Sequence, residues 1–390
     1  MNFNVYIPTR VLMGAGRLND LHAQTLPGKK AMLVISNGKS TRQSGTLART
    51  EEQLKLAGVE TALFDKVGAN PLKAAIEEGA AFARVNGCDF VVALGGGSVM
   101  DAAKVIAMYA PQPGALWDYV AGATGKNQPL IHAPLPVVAI STTAGTGSEV
   151  DQWGVVTNPE TNEKIGCGGM DSLFPVLAVV DAELMTTVPP RLTAYQGFDT
   201  LFHAVEGYIS AFANPMSDII QTASITRVGT YLARAVQNGK DLEARENMAF
   251  ANTLSGWSMV TGSCTSEHSM EHAMSAYHPA LPHGAGLIMI SKAYFTHFIE
   301  KHACDERFVE LAKMLGMTGA KKPMDFITAL NALQKACGVA GLKMSDYGIR
   351  PDEAMTLAKN ARATMGGLFA CDRVPLSDAE CAAIYKKSYC

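Results

Sequence analysis

Residues 89–104 read DFVVALGGGSVMDAAK. An apolar run rich in valine, three consecutive glycines and the start of a helical pattern follow one another with no spacer. The run 89–94 is continuous rather than alternating, which suits a strand covered on both faces. Gly95, Gly96 and Gly97 let backbone N–H groups approach an anion without interference from Cβ atoms. A helix opening at Ser98 adds the positive end of its dipole. A plain strand-to-helix turn needs only one glycine, so three point to a phosphate, and a pyrophosphate is the expected guest.

Working outward, further strands are read at 31–36, 61–64, 136–141 and 177–180, with helices at 45–57, 72–86 and 99–109. Continuous apolar strands separated by helices indicate a parallel, Rossmann-like sheet that binds ligands at the carboxyl ends of its strands. A second polar turn, STTAGTGSE at 141–149, follows the next apolar strand and offers hydroxyls where ribose or nicotinamide would lie. The turn after the 31–36 strand is Ser36-Asn37-Gly38-Lys39-Ser40. It lacks the carboxylate that usually bonds a bare ribose 2′-hydroxyl. Within Asn37-Gly38-Lys39-Ser40 the Lys39 and Ser40 side chains suit a 2′-phosphate while Asn37 also suits the bare hydroxyl, a lean toward NADP. MGAGRL at 13–18 contains a GxG, but with no strand-then-helix context and no third glycine it is set aside.

From Pro190 onward the β-rich runs stop. Helices are read at 194–210, 216–238, 241–262, 266–276, 284–301, 305–315, 323–336, 351–364 and 377–387. The prolines of Val188-Pro189-Pro190 interrupt both strand and helix. The expected division is an α/β dinucleotide-binding domain over 1–188 and an all-helical metal-binding and substrate domain over 189–390.

Four of the nine histidines fall within 251–284, ANTLSGWSMVTGSCTSEHSMEHAMSAYHPALPHG. His268 and His272 share a helix face, and His283 closes a Pro-His-Gly turn. Upstream, Asp199 and His203 repeat the four-residue spacing. A carboxylate and a histidine on one helix, with histidines from a second helix and a loop, can surround one divalent metal. Asp199, His203, His268 and His283 are the expected ligands; spacing alone leaves His272 and His278 open as substitutes. Cys264 lies close by, but thiolates suit closed structural zinc sites better. His268-Ser269-Met270-Glu271-His272 also matches the H-x-x-E-H zinc-peptidase pattern. That rival reading leaves the triple-glycine turn and the α/β half unexplained.

At 390 residues the chain exceeds one ordinary core. A net charge of −3 and the lack of a basic cluster argue against a nucleic-acid partner. No apolar run is long enough to span a bilayer, and MNFNVYIPTR lacks a signal-peptide core, so a soluble cytoplasmic protein is expected. The eight cysteines, without a CxxC pair, read as thiols in a reducing compartment.

With these motifs assembled, the chain resembles the iron-containing (group III) alcohol dehydrogenases from end to end. The resemblance rests on GGGSVMDAAK at 95–104, STTAGTGSEV at 141–150, GFDTLFHAVEGY at 197–208 and HSMEHAMSAYHPALPHG at 268–284. Glycerol dehydrogenases and dehydroquinate synthase share the architecture, but the two-histidine segment and its Pro-His-Gly ending favour the alcohol dehydrogenases. The resemblance implies Fe2+ (with Zn2+ sharing the ligands) on Asp199, His203, His268 and His283, and His272 beside nicotinamide and substrate. It implies NAD(P)H contacts from Asn70, Gly96, Gly97, Ser98, Asp101, Thr142, Thr143, Thr146, Ser148 and Lys164. It further implies a homodimer or larger assembly, for which the VYIP segment at 5–8 offers a pairing edge. Ser141 stands where the family usually has proline, and Asp151-Gln152 where threonine is usual. The reaction expected is reversible oxidation of a small primary alcohol to its aldehyde. The metal acts as Lewis acid, hydride passes to nicotinamide, and His272 relays the proton near neutral pH.

Overall fold

The computed structural model describes residues 3–389. The chain divides into two compact units, one of residues 7–161 and 165–187, the other of 1–6, 162–164 and 188–390.

The first unit is built on a six-stranded parallel sheet. Its strands are β1 (Arg10–Met13), β2 (Lys30–Ser36), β3 (Glu60–Val67), β4 (Phe90–Gly95), β5 (Val137–Ser141) and β8 (Leu177–Val180), in the order β1-β8-β5-β4-β2-β3. Period-two alternation puts Met32, Val34, Val91 and Ala93 in the core on one face. Ala31, Leu33, Phe90, Val92 and Leu94 enter the core on the other. Two buried faces explain the unbroken apolar runs. The chain leaves the adjacent strands β2 and β4 in opposite directions, toward β3 and toward β5, so their carboxyl ends flank a topological switch point.

Several features depart from the sequence expectation. β1 is a short edge strand paired only with β8, and four residues give too little periodicity to read. β6 (Trp153–Asn158) and β7 (Glu163–Gly168) form a separate two-stranded sheet, hidden by its polar and glycine positions. Because β1 precedes Gly14 and a 3-10 turn at Arg17–Ala23 follows, the GxG segment does have a strand before it. Its anion position is nonetheless filled from within: the Asp181 carboxylate accepts from Gly16 N at 3.0 Å and Leu18 N at 3.1 Å. Residues 5–8 form no regular element within the chain.

The second unit is helical. Its longest helices are Pro190–Ile209, Pro215–Gln237 and Leu242–Gly262, followed by Ser266–Tyr277 and His283–Glu300. Pro190 opens the first of them, where its missing N–H has no intrahelical partner to lose. Phe202 packs between Phe198 and Phe295, with ring centroids 5.9 Å apart in each pair. No disulfide joins the seven described cysteines; Cys390 lies outside the described residues.

Candidate active site

In the first unit, Gly95 at the end of β4 is in register with Ser141 at the end of β5, so two loops leave the sheet side by side. None of Gly95, Gly96 and Gly97 has a positive φ. Close approach is what demands glycine. A Cβ on Gly96 would lie 2.8 Å from Thr143 Oγ1, and one on Gly97 would lie 2.3 Å from Thr146 Cγ2. Gly97 and Ser98 begin the helix Gly97–Tyr109, whose first-turn N–H groups have no intrahelical acceptor. Gly96, Ser98, Thr142, Thr143 and Thr146 remain partly accessible and rim this cradle.

Asp101 and Ser148 meet each other: Ser148 Oγ donates to Asp101 Oδ1 at 2.6 Å, and Val155 N donates to Oδ2 at 3.1 Å. Burial outweighs the nearby Lys104 ammonium and the Ser148 bond, and pushes the Asp101 carboxyl up to about 6. Lys104, fully buried, donates to Ser148 O at 2.9 Å and Asp151 Oδ1 at 2.7 Å, tying the second loop to the helix of the first. The unusual Asp151 is therefore the buried partner of Lys104. Asn37 and Lys39 are exposed beyond β2. Asn70 takes φ 54°, a left-handed conformation that asparagine tolerates.

In the second unit the expected ligands converge. Asp199 Oδ1 lies 3.3 Å from His203 Nδ1, 3.5 Å from His268 Nε2 and 3.4 Å from His283 Nε2. Tetrahedral ligands with metal bonds of about 2.1 Å stand about 3.4 Å apart, as the Nε2 atoms of His268 and His283 do from Asp199 Oδ1, whereas the His203 distance is to its backbone-bonded Nδ1. Asp199 Oδ1 and His268 Nε2 are buried and have no hydrogen-bond partner. Asp199, His268 and His283 form one group with donor atoms close enough for a single ion. His203 belongs to an overlapping group with Cys264 and His268, which puts the Cys264 thiol nearer than spacing suggested. His283 opens the helix His283–Glu300 rather than sitting in a loop. Gly284 is required beside it, because a Cβ there would lie 2.2 Å from Tyr195 O. His278 instead meets Glu353 at 2.9 Å.

Each of these three histidines has its Nδ1 occupied. His203 Nδ1 bonds Asp199 O at 2.9 Å, His268 Nδ1 meets Glu206 Oε1, and His283 Nδ1 meets Glu271 Oε2. Burial alone would keep Asp199 protonated, but His203 and His283 hold its carboxyl well below the usual range. Burial also opposes charge on His268, yet Glu206 and Asp199 prevail and push it up to about 10. The His203 imidazole falls to about 3, through burial and the neighbouring His268. His272 lies 5.3 Å from His283 between ring centroids, its Nδ1 against Met365 Sδ. Burial, with Lys164 nearby, pushes the His272 imidazole well below its ordinary value.

Lys164 Nζ is buried, bonding Ser275 Oγ at 2.9 Å and lying 3.4 Å from Glu271 Oε2. Glu271 is thus engaged by His283, Lys164 and Ser275, and is no free general base for the peptidase reading. Sequence reasoning missed Glu206. Its signal was present: Asp199, His203 and Glu206 recur at helical spacing on one face.

A switch-point cradle for a dinucleotide and a buried Asp/His cluster together define a metal-dependent, nicotinamide-linked dehydrogenase. The model of the iron-containing alcohol dehydrogenases matches residues 8–182, and that of the C-terminal part of the same family matches 193–389. The 1,3-propanediol dehydrogenase of Klebsiella pneumoniae is 35% identical over 89% of this chain and 85% of its own length. The NAD-dependent methanol dehydrogenase of Bacillus methanolicus is 30% identical over 92% and 93%. An alcohol dehydrogenase from an archaeon of a Red Sea brine pool has a crystal structure that superimposes with a TM-score of 0.94 at 33% identity, covering 100% of this chain and 99% of that one. The chain belongs to the iron-containing alcohol dehydrogenase family, and its activity is that of an NAD-linked alcohol oxidoreductase.

Proposed function

We propose that the protein interconverts small primary alcohols and their aldehydes, with Fe2+ on Asp199, His203, His268 and His283. Residues 1–188 serve the dinucleotide and 189–390 the metal. The observation that carries the metal assignment is the pair of buried, unpartnered atoms, Asp199 Oδ1 and His268 Nε2, at ligand separation. One carboxylate with imidazoles suits ferrous ion, and zinc competes for the same donors. Relatives named for propanediol, methanol and butanol support a short primary alcohol.

When bound, the ion supplies Lewis acidity to the alcohol oxygen and the nicotinamide supplies the hydride acceptor. Glu206 and Glu271 fix the tautomers of His268 and His283. His272, with Nδ1 against Met365, serves the substrate and the nicotinamide and relays the proton. Gly96, Gly97 and Ser98 take the pyrophosphate, and Thr142, Thr143 and Thr146 the nicotinamide side. Asp101 and Ser148 keep the two loops together. Asn37, Gly38, Lys39 and Asn70 serve the adenosine end, and the exposed Lys39 ammonium favours NADPH. Among the described residues no helix is long and apolar enough to cross a membrane. Thiols without disulfides support a cytoplasmic setting. The exposed Phe212, Met216 and Ile219 support a homo-oligomer.

The test is anaerobic purification, metal analysis, and oxidation of NADH and NADPH against a panel of short aldehydes. One iron per chain is expected, with turnover abolished by chelation, restored by ferrous ion and faster with NADPH. Stoichiometric zinc with no nicotinamide turnover on any aldehyde would sink the reading.

A further inference from the structure

His283 is the least enclosed of the proposed ligands. Its side chain is 22% exposed, against 5–7% for Asp199, His203 and His268, and it is the first residue of its helix. An imidazole in that position has two tautomers and two ring orientations to choose from. Its Nε2 serves an ion beside Asp199 only when the proton stays on Nδ1. What faces Nδ1 is Glu271 Oε2, a carboxylate with no exposed surface.

That carboxylate is itself fixed from two sides, by Ser275 and by Lys164, which also hold each other. Ser275 Oγ donates to Oε1 at 2.7 Å, Lys164 Nζ lies 3.4 Å from Oε2, and Lys164 Nζ also donates to Ser275 Oγ at 2.9 Å. From a third side, Gly286 leaves room only for hydrogen, since a Cβ there would lie 2.7 Å from Glu271 Cγ. A buried carboxylate held in place by Ser275 and Lys164 keeps Oε2 turned to His283 Nδ1.

Building on the proposed metal site, we infer that Glu271 is a positioning residue that orients His283 toward the ion, with Lys164 as its buried counter-charge. The glutamate of the H-x-x-E-H segment is thereby assigned to the metal centre without acting on substrate. Carboxylates behind ligating histidines typically contribute 10–100-fold in metal affinity.

The test adds Co2+ to metal-depleted wild type, Glu271→Gln, Glu271→Leu, Gly286→Ala and His283→Ala. It reads the dissociation constant by chelator competition, together with the visible Co2+ spectrum. Glu271→Gln, which keeps an acceptor without charge, should weaken Co2+ about 10-fold, and Glu271→Leu up to about 100-fold with an altered spectrum. Gly286→Ala, which displaces Glu271 without removing it, should fall between wild type and Glu271→Leu. Wild-type affinity and spectrum in both Glu271 variants, with Co2+ lost in His283→Ala, would overturn the brace and leave the ligand set standing. Co2+ bound equally by wild type and His283→Ala would instead overturn the ligand set and the brace with it. For Lys164, the melting temperature of the metal-free protein should drop in Lys164→Met and recover in Lys164→Met/Glu271→Gln, because a buried charge without its partner is costly. Strictly additive losses would remove Lys164 from the inference.

Discussion

Where the loops leave β4 and β5 the residues that meet are Gly96, Gly97, Thr143 and Thr146, uncharged and packed against one another. In the helical unit the corresponding positions are Asp199, His203, His268 and His283, ionisable groups whose buried donors include two with no partner. The first site is complete as packing: its ionic groups, Lys104 with Asp151, lie behind the loops and satisfy each other. The second is ionic throughout: burial disfavours every charge in it, and on the function proposed above a divalent cation would complete the donor set. Binding sites shaped by close packing and sites shaped by unmet charge should therefore fail in different ways when altered.

The largest failure belongs to the charged site. His268→Ala should remove stoichiometric metal and lower kcat/KM by about 10³-fold, several kcal/mol of lost transition-state stabilisation. NADH binding, followed by fluorescence, should persist in that variant. Loss of dinucleotide binding along with the metal would mean the two sites do not fail separately. Next comes Lys104→Met, which strands the Asp151 carboxylate in the core with Trp153 N as a donor at 2.8 Å. Breaking a buried pair from one side typically costs about 3–5 kcal/mol. The denaturant midpoint should fall accordingly and recover largely in Lys104→Met/Asp151→Asn. Metal content should not change in either.

The same contrast governs what could be read from the chain beforehand. The parallel sheet was legible because its two buried faces force unbroken apolar runs, as in residues 90–94. The ligand set was legible because helices convert four-residue spacing into a shared face. What escaped depended on contacts between distant residues. The glycine requirement at 96–97 was visible, but its cause, the threonines at 143 and 146, was not. Glu271 looked like a peptidase base because its spacing from His268 and His272 says nothing about His283 Nδ1 or Lys164. β1, β6 and β7 were missed because short strands at an edge or in a small sheet bury too little surface to leave a periodic signature.

A third prediction tests whether unmet charge in the helical unit extends beyond the metal ligands. Asp372 accepts from Ser266 N at 3.1 Å and Tyr294 OH at 3.2 Å through Oδ1, while its buried Oδ2 has no partner. Burial outweighs these bonds and pushes its carboxyl up to about 7. The unfolded chain releases this proton near the ordinary carboxylate value, whereas the folded chain keeps it until about 7. Between roughly pH 4 and 7 the folded state therefore binds more protons, and stability falls as pH rises. Asp372→Asn should flatten that slope. It should match wild type near pH 4 and exceed it by roughly 2–4 kcal/mol near pH 8 in urea unfolding. Parallel pH profiles for the two proteins would show that Asp372 ionises as freely as it does in water.

The smallest effect is expected where the site is made of packing alone, and it is the sharpest probe of the contrast. Gly97→Ala places a methyl group 2.3 Å from Thr146 Cγ2 and 2.7 Å from Thr146 Oγ1. Both are side-chain atoms, so the threonine can turn away, and overpacking of this kind typically costs about 1–3 kcal/mol. Thr146 Oγ1 also accepts from Ser148 N at 3.2 Å, so a rotated Thr146 loosens the second loop at the point where Lys104 anchors it. The expected result is a modest drop in melting temperature, weaker NADH and NADPH binding, and an unchanged metal content. Adding Thr146→Ser, which deletes the clashing methyl but keeps the hydroxyl, should restore part of the stability. If dinucleotide affinity is unaffected by Gly97→Ala, the glycine at 97 serves only to let the two loops pack, and the anion must rest on Gly96 and Ser98.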